Sequence, residues 1–199
     1  YGTVLILAPW NYPFMLLIEP LIGAISAGNT VILKPSEFSP NTSNIIQKII
    51  ENCFGKEYVA VIQGDKEVSQ KLIEQKVDYI FYTGGTRVGK IVMESASKNL
   101  TPVTLELGGK SPCIVDETCN INLAAKRIVF GKLLNAGQTC IAPDYVLIDK
   151  KVKTQFIEYI KKYISEFLGE DIINNEEYPQ IINNTHFNRL KTLLNGQNI

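Results

Sequence analysis

The segment DYIFYTGGTRVG, residues 78–89, decides the fold of this chain. Its apolar first half predicts a β-strand at residues 78–82, and the pattern after the turn predicts a helix at residues 87–98. A glycine turn between a strand and a helix is where dinucleotide phosphates meet backbone N–H groups and the positive end of a helix dipole. Thr86 occupies the middle position of the usual three-glycine pattern. A plain strand-to-helix turn is therefore an equally good interpretation of this segment taken alone.

The alternation of strand and helix extends from this segment in both directions. The predicted strands cover residues 3–8, 30–34, 58–62, 78–82 and 103–107. The predicted helices cover residues 14–27, 41–52, 66–75 and 87–98. Four side chains are predicted to share the buried stripe of the second helix: Ile45, Ile46, Ile49 and Ile50. Most of the strands are continuous apolar runs, which is typical of parallel strands covered on both faces. The fold class predicted is therefore α/β, with a doubly wound parallel sheet.

The pattern restarts after residue 107. The predicted strands are 111–115 and 145–148, the predicted helices are 121–135 and 152–168, and residues 169–179 read as a surface loop. We therefore predict one domain at residues 1–107 and the beginning of a second α/β domain at residues 108–199. Because the chain starts at Tyr1 and a helical pattern continues through residues 195–199, we expect it to be a piece of a longer protein.

Composition and charge exclude several classes of protein. Hydrophobic residues make up 45% of the 199 residues, an ordinary globular balance. Lys plus Arg and Asp plus Glu each number 20, and zero net charge argues against a nucleic-acid protein or an electrostatic membrane binder. The apolar stretch at residues 14–25 is too short for a bilayer and is interrupted by Glu19 and Pro20. Four cysteines without C-x-x-C spacing argue against a structural metal site and favour a reducing, cytoplasmic location.

Two further motifs follow predicted strands at their carboxyl ends. Lys34 and Glu37 are three residues apart, so an amine and a carboxylate could bind both hydroxyls of a ribose; a solvated turn is the alternative. Asn11 lies in the PWNYP turn at residues 9–13 after the first strand. Its amide could donate to a developing oxyanion, and a simple packed turn is the alternative.

Glu106 ends an apolar strand pattern, where burial of a carboxylate costs free energy unless the group is paired. A buried carboxyl of this kind suits a general base. Two other interpretations remain open at this point. Glu106 follows Gly84 by 22 residues, close to the spacing of a ribose-binding acid in Rossmann units, and it could also be a plain edge carboxylate in water.

Cys140 lies in the turn NAGQTCIAP, residues 135–143, between a predicted helix and a predicted strand. Exposed N–H groups of such a turn stabilise a thiolate and later an oxyanion, so Cys140 is a candidate nucleophile. The alternative is a buried and inert thiol. We assign that inert role to Cys53 in a helix and Cys113 in a strand. We expect His186 on the surface.

Taken together and in this order, these motifs resemble the aldehyde dehydrogenase superfamily, and most of all its class 3 branch, which includes fatty aldehyde dehydrogenases. The runs LTPVTLELGGKSP at residues 100–112 and GQTCIAPDY at residues 137–145 carry the resemblance most specifically. It extends over essentially the whole chain. It implies a Rossmann-like cofactor domain, NAD or NADP as cofactor, and oxidation of an aldehyde to a carboxylic acid through a cysteine thiohemiacetal and a thioester.

The resemblance also implies roles for individual residues. Cys140 corresponds to the catalytic thiol and Glu106 to the general base, while Asn11 and the Cys140 backbone N–H form the oxyanion hole. No metal is implied. The residues implied at the cofactor are Lys34, Glu37, Gly84, Gly85, Thr86, Val88, Gly89 and Leu107.

By the same resemblance, family members are longer than this chain and form homodimers. We expect the chain to lack their first helices, the later segment that holds the nicotinamide ribose, and the C-terminal arm. The isolated piece is then expected to be inactive. Two alternatives remain: a CoA-acylating relative, which Glu106 argues against because it needs no activated water, and a cofactor-binding module without turnover.

Overall fold

The structure is a computed structural model that describes residues 1–195 of the 199. The chain divides into two compact units, Tyr1–Gly108 and Gly109–Ile199, and each unit is described by itself. The helical pattern expected at residues 195–199 lies, beyond Asn195, outside the described residues.

The first unit holds a five-stranded parallel sheet with helices on both sides. Its strands are β1 (Thr3–Leu7), β2 (Thr30–Lys34), β3 (Val59–Val61), β4 (Tyr79–Thr83) and β5 (Val103–Glu106). Its helices are α1 (Met15–Ser26), α2 (Pro40–Cys53), α3 (Lys66–Ile73) and α4 (Thr86–Ser97). The strand order is β3-β2-β1-β4-β5, with every neighbouring pair parallel. The predicted doubly wound α/β fold is confirmed.

The continuous apolar runs arise because both faces of the sheet are buried. Val4 and Ile6 of β1 point into a core that α1 and α2 complete, whereas Leu5 and Leu7 point into a core that α3 and α4 complete. Leu5 and Ile6 are both fully buried. Successive residues of a strand face opposite sides, so a strand with a core on each side has no position left for a polar residue until it ends.

The second helix buries a narrower stripe than the sequence predicts. Ile46 and Ile50 are buried, as expected for residues one turn apart on the same face. Ile45 and Ile49 are 53% and 42% exposed, because they lie on the flank of that face. The prediction is wrong for these two residues.

The second unit is smaller and is built on two parallel strands. Its elements are β6 (Ser111–Val115), α5 (Ile121–Leu133), a short 3-10 turn (Leu134–Gly137), β7 (Pro143–Ile148), α6 (Lys153–Leu168) and α7 (Asn184–Leu193). Val115, Ala125 and Phe156 belong to its core. Helix α5 ends earlier than predicted, because Asn135 and Ala136 have a φ of +52° and cannot continue a right-handed helix.

Within residues 1–195, no helix is both long enough and apolar enough to cross a membrane. The same residues contain no group of three or more His, Cys, Asp or Glu side chains placed to hold a metal ion.

Candidate active site

The candidate residues of the first unit lie at the carboxyl edge of its sheet. β1 pairs with β2 on one side and with β4 on the other, so the winding of the chain changes direction between β1 and β4. In open α/β sheets, ligands bind in the crevice outside the strand ends at such a switch point. The register sets Lys34 of β2 and Tyr82 of β4 beside Leu7, and Glu106 beside Thr83. Four polar loops therefore begin at one edge.

Lys34 is buried, with 2% of its surface exposed, and it does not lie in a solvated turn. Its Nζ donates to the Pro35 carbonyl oxygen at 2.7 Å and lies 3.7 Å from Glu37 Oε2. Burial lowers the pKa of Lys34, and the nearby carboxylates of Glu37 and Asp65 oppose that shift. Glu37 is 34% exposed, so the pair presents an amine donor and a carboxylate acceptor beside solvent.

Asp65 is a charged neighbour of Lys34 that the sequence analysis missed. It caps helix α3, where its Oδ1 accepts from the backbone N–H groups of Glu67 and Val68 at 2.9 and 3.3 Å. These hydrogen bonds lower its pKa, so the carboxylate stays ionised at neutral pH. An Asp directly before a helical pattern is an N-cap signal that could have located it.

The glycine turn between β4 and α4 is open to solvent at the start of the helix. Gly85 is the N-cap of α4, and its carbonyl oxygen accepts from the backbone N–H groups of Val88 and Gly89 at 3.1 and 3.0 Å. Gly85, Thr86 and Val88 are exposed. Because the first N–H groups of an α-helix have no intrahelical acceptor, this exposed turn fits an anionic phosphate.

Two side chains lie so close to the turn that a larger residue at Gly84 or Gly89 would force them to move. A Cβ at Gly84 would overlap the Tyr82 hydroxyl, which donates to the Gly85 carbonyl oxygen at 3.3 Å. A Cβ at Gly89 would lie 2.8 Å from Leu107 Cδ2. Burial raises the pKa of Tyr82, which keeps the phenol protonated as a donor. Leu107, predicted at the cofactor, thus supports the turn through Gly89.

Glu106 is exposed at the end of β5, so of the interpretations left open by the sequence the buried carboxyl is wrong, and the carboxylate lies at the sheet edge in contact with water. The reason is its position in the sheet: β5 is an edge strand of the first unit and pairs there with β4 alone. The backbone carbonyl of Glu106 accepts from the Gly84 N–H at 2.9 Å, which ties the glycine turn to the end of β5. Asn11 is half-buried in the loop after β1.

Cys140 belongs to the second unit and has an exposed, free thiol. It lies in the short segment between the 3-10 turn and β7, where Ala142 N–H donates to the Thr139 carbonyl oxygen at 3.1 Å. Cys53 and Cys113 were predicted to be buried and inert, in contrast to Cys140, and this prediction is partly wrong. Cys53 is exposed, because it is the last residue of α2, and Cys113 is half-buried.

Gly109 packs directly against the Cys140 main chain. Ser111 of β6 pairs with Pro143 of β7, which brings the residues before both strands together. A Cβ at Gly109 would overlap the Cys140 carbonyl oxygen. Lys110 and Asp144 add an exposed ion pair at 3.2 Å between the same two segments. The sequence analysis did not assign this role to Gly109.

His186 lies on α7 and is partly exposed. Burial and the charge of Arg189 lower its pKa, so the ring is neutral at physiological pH.

Comparison with known proteins places this architecture in one family. The sequence model of the Aldehyde dehydrogenase family matches residues 1–198. This chain belongs to the aldehyde dehydrogenase family. A 4,4'-diaponeurosporen-aldehyde dehydrogenase of Staphylococcus aureus is 55% identical over 98% of the chain and 43% of its own length. Aldehyde dehydrogenase family 3 member A2 of Macaca fascicularis is 52% identical over 100% of the chain and 41% of its length. The resemblance to the class 3 branch is confirmed.

Solved structures of the family share the fold. A substrate-bound state of Staphylococcus aureus AldH has a TM-score of 0.90 and 54% identity over 98% of this chain and 43% of that chain. An indole-3-acetaldehyde dehydrogenase in complex with NAD⁺ has a TM-score of 0.87 and 29% identity over 97% of this chain and 40% of that chain. A dimeric NADP-preferring aldehyde dehydrogenase of Canis lupus familiaris is 48% identical over 100% of this chain and 44% of its length. The chain thus spans less than half the length of the relatives it matches.

Substitution of Gly109 tests the contact with Cys140. Gly109→Ala should lower the free energy of unfolding by about 1–3 kcal/mol, since an added methyl in a filled space forces the backbone to shift. Urea denaturation of the complete protein that contains these residues measures the change. Gly108→Ala is the matched control, because its Cβ would meet open space and its backbone is not left-handed. Equal stability of the two variants would contradict the contact.

The burial of Lys34 predicts a stability cost that depends on pH. Burial lowers the pKa of Lys34 in the folded state below its ordinary value of 10.5, so the folded state disfavours the protonated form. That cost is full at neutral pH and falls as the pH rises toward 10.5, because the folded state releases its proton first. Lys34→Met removes this pH-dependent cost, so its stability relative to the wild type should be greatest at neutral pH and should decline as the pH rises.

Urea denaturation at pH 7 and at pH 10 measures this difference, and Lys48→Met on the exposed side of α2 is the control. The free energy of unfolding of Lys34→Met, relative to the wild type, should be lower at pH 10 than at pH 7. A difference that does not vary with pH, or that varies in the opposite direction, would refute the argument.

Proposed function

We propose that this chain is the core of an NAD(P)-dependent aldehyde dehydrogenase that oxidises an aldehyde to a carboxylic acid through a cysteine thioester. The observation that carries the proposal is the exposed, free thiol of Cys140, held by close backbone packing against Gly109, in a chain of this family. An exposed thiol on a constrained main chain meets the two needs of a nucleophile, which are access to substrate and a fixed direction.

The cofactor is NAD or NADP, held through its adenosine and phosphate half by the first unit. The exposed start of α4 at Gly85 and Thr86 fits the phosphates, since glycine leaves the backbone open to close approach. The Lys34 amine and the Glu37 carboxylate fit the two hydroxyls of the adenosine ribose. A relative named NADP-preferring and a neighbour solved with NAD⁺ support either cofactor.

Bond formation begins at Cys140. Its thiolate attacks the carbonyl carbon of the aldehyde, a C–S bond forms, and the carbonyl electron pair moves onto oxygen. We assign the donors to this oxyanion from the family resemblance: the Asn11 side-chain amide and the Cys140 backbone N–H. Such donors, already in place when charge develops, typically contribute about 3 kcal/mol each to the transition state.

The second half of the reaction restores the thiolate. When bound, the nicotinamide ring supplies the acceptor for the hydride that leaves the thiohemiacetal carbon. Glu106 then accepts a proton from water, the resulting hydroxide attacks the thioester carbonyl, and the C–S bond breaks to release the acid. Glu106 is exposed, which gives its carboxylate access to the water molecule.

Substrate, assembly and location complete the proposal. The relative that is 55% identical is named for 4,4'-diaponeurosporen-aldehyde, which makes that aldehyde the first one to assay. A homodimer is supported by the relative named as dimeric. A cytoplasmic location is supported by the four cysteines, all of which are free thiols.

A burst experiment tests the proposed chemistry in the complete protein. Rapid mixing of enzyme, NAD⁺ and aldehyde should give a burst of NADH in Glu106→Gln, followed by a steady state that is ~10²–10⁴-fold slower than in the wild type. The near-isosteric amide cannot accept a proton from water, so hydrolysis slows while acylation proceeds.

Cys140→Ala is the control and should give neither burst nor turnover, whereas Cys53→Ala should behave as the wild type. Equal slowing of the burst and the steady state in Glu106→Gln would instead assign a positioning role to Glu106. A steady state restored by coenzyme A alone would favour the CoA-acylating alternative. Cofactor binding without any turnover would favour a non-catalytic module.

A further inference from the structure

The side chain of Gln138, two residues before Cys140, joins its own loop to a distant part of the second unit. Its Nε2 donates to the carbonyl oxygens of Asn135 and Gln180, at 3.1 and 3.2 Å. Its Oε1 accepts from the Ile182 N–H at 3.0 Å. The side-chain amide of Gln138 therefore links its own loop to residues 180–182. Its Nε2 donates to residue 180 and its Oε1 accepts from residue 182.

The backbone just before Gln138 is strained. Asn135 and Ala136 both have a φ of +52°, and Gly137 has a φ of +74°. The left-handed region is readily adopted by glycine and tolerated by asparagine, but it is unfavourable for alanine because Cβ crowds the carbonyl oxygen. Such a conformation persists where the surrounding structure holds it in place.

Packing leaves part of this turn open. A groove of about 740 Å³ is lined by Ala136 and by residues of the 172–187 segment, among them Tyr178, Ile182 and Phe187. Side chains that line opposite walls of this groove are not in close contact, so their packing does not fix the distance between the turn and the 172–187 segment. The hydrogen bonds of the Gln138 amide cross from one segment to the other and supply a fixed distance.

We propose that Gln138 is a positioning residue for Cys140: its amide holds the left-handed turn against residues 180–182 and thereby sets the direction of the nucleophile. The inference rests on the proposed role of Cys140. It requires two N–H donors and one acceptor on a single side chain, which a glutamine supplies. Glutamate of the same shape keeps the acceptor and loses both donors.

Gln138→Glu in the complete protein is the first test. The carboxylate would face the two carbonyl oxygens of Asn135 and Gln180, so the turn should shift. We expect kcat for aldehyde oxidation to fall ~10²-fold, the loss typical of a misplacement of about 1 Å. The dissociation constant for NAD⁺ should stay within twofold of the wild type. Gln155→Glu on the exposed surface of α6 adds the same charge and should change neither quantity.

A pH profile separates positioning from a general loss of structure. Alkylation of Cys140 by iodoacetamide is measured for Gln138→Glu and for the wild type at each pH, and the ratio of the two rates is taken. Protonation of the new carboxyl returns one donor, so the ratio should rise toward one as the pH falls below about 5. Gln138→Met, which neither donates nor accepts in this geometry, should be slow at every pH.

Three results would overturn the inference while leaving the proposed function intact. They are a kcat within twofold of the wild type in Gln138→Met, a rate ratio in Gln138→Glu that does not vary with pH, and a loss of NAD⁺ binding equal to the loss of kcat. Absence of aldehyde oxidation by the wild-type protein would instead refute the proposed function, and the alkylation ratio would still report on Gln138.

Discussion

Because both faces of the parallel sheet are buried, polar side chains are concentrated at the ends of its strands and in the loops that follow them. This constraint determines where the candidate site residues of the first unit lie. β1 has no exposed position from Val4 to Leu7, because one core takes Val4 and Ile6 and the other takes Leu5 and Leu7. Polar and glycine residues are therefore displaced into the loops that leave the strands. The strand order then gathers four of these loops at one edge, around the switch point between β1 and β4.

Close packing at three glycines restricts which residues the candidate site can contain. Gly84 and Gly89 lie against Tyr82 and Leu107, and in the second unit Gly109 lies against the Cys140 carbonyl. A methyl group at Gly109 would displace the main chain of Cys140, whereas at Gly84 and Gly89 it would displace the side chains of Tyr82 and Leu107. The buried amine of Lys34 is a separate constraint. It lies beside Glu37 although burial disfavours its charge, a cost in stability that indicates a functional rather than a purely structural residue.

The local sequence pattern was sufficient to predict the helices and strands, but it was insufficient to predict which residues are buried against one another. Apolar runs, most of them continuous, located the five strands of the first unit, since burial on both faces favours apolar residues along a strand. The apolar pattern of β5 made burial of Glu106 one of the interpretations left open. Its exposure follows from the position of β5 at the edge of the sheet, which the local sequence does not reveal. Ile45 and Ile49 were misplaced because the width of the buried face of a helix depends on what covers it.

The candidate site divides in the same way. Some site residues can be recognised from the sequence because a charged, nucleophilic or glycine residue directly follows a predicted strand or lies in a predicted turn. These are Lys34, Glu37, the glycine turn and Cys140. Gln138 does not stand out, because its partners are 42 and 44 residues away. Gly109 is visible as a glycine, but its contact with Cys140 follows from the pairing of β6 with β7. Long-range contacts of this kind have no local signature.

The central claim is that the carboxyl edge of the first sheet binds the dinucleotide, with its phosphates at the start of α4. Hydrogen–deuterium exchange of the complete protein, with and without saturating NAD⁺, tests this most directly. The account predicts slower amide exchange across residues 83–89, together with slower exchange in residues 34–37, and no change in helix α6 of the second unit. Unchanged exchange at residues 83–89 under saturating NAD⁺, with protection confined to other segments, would contradict it.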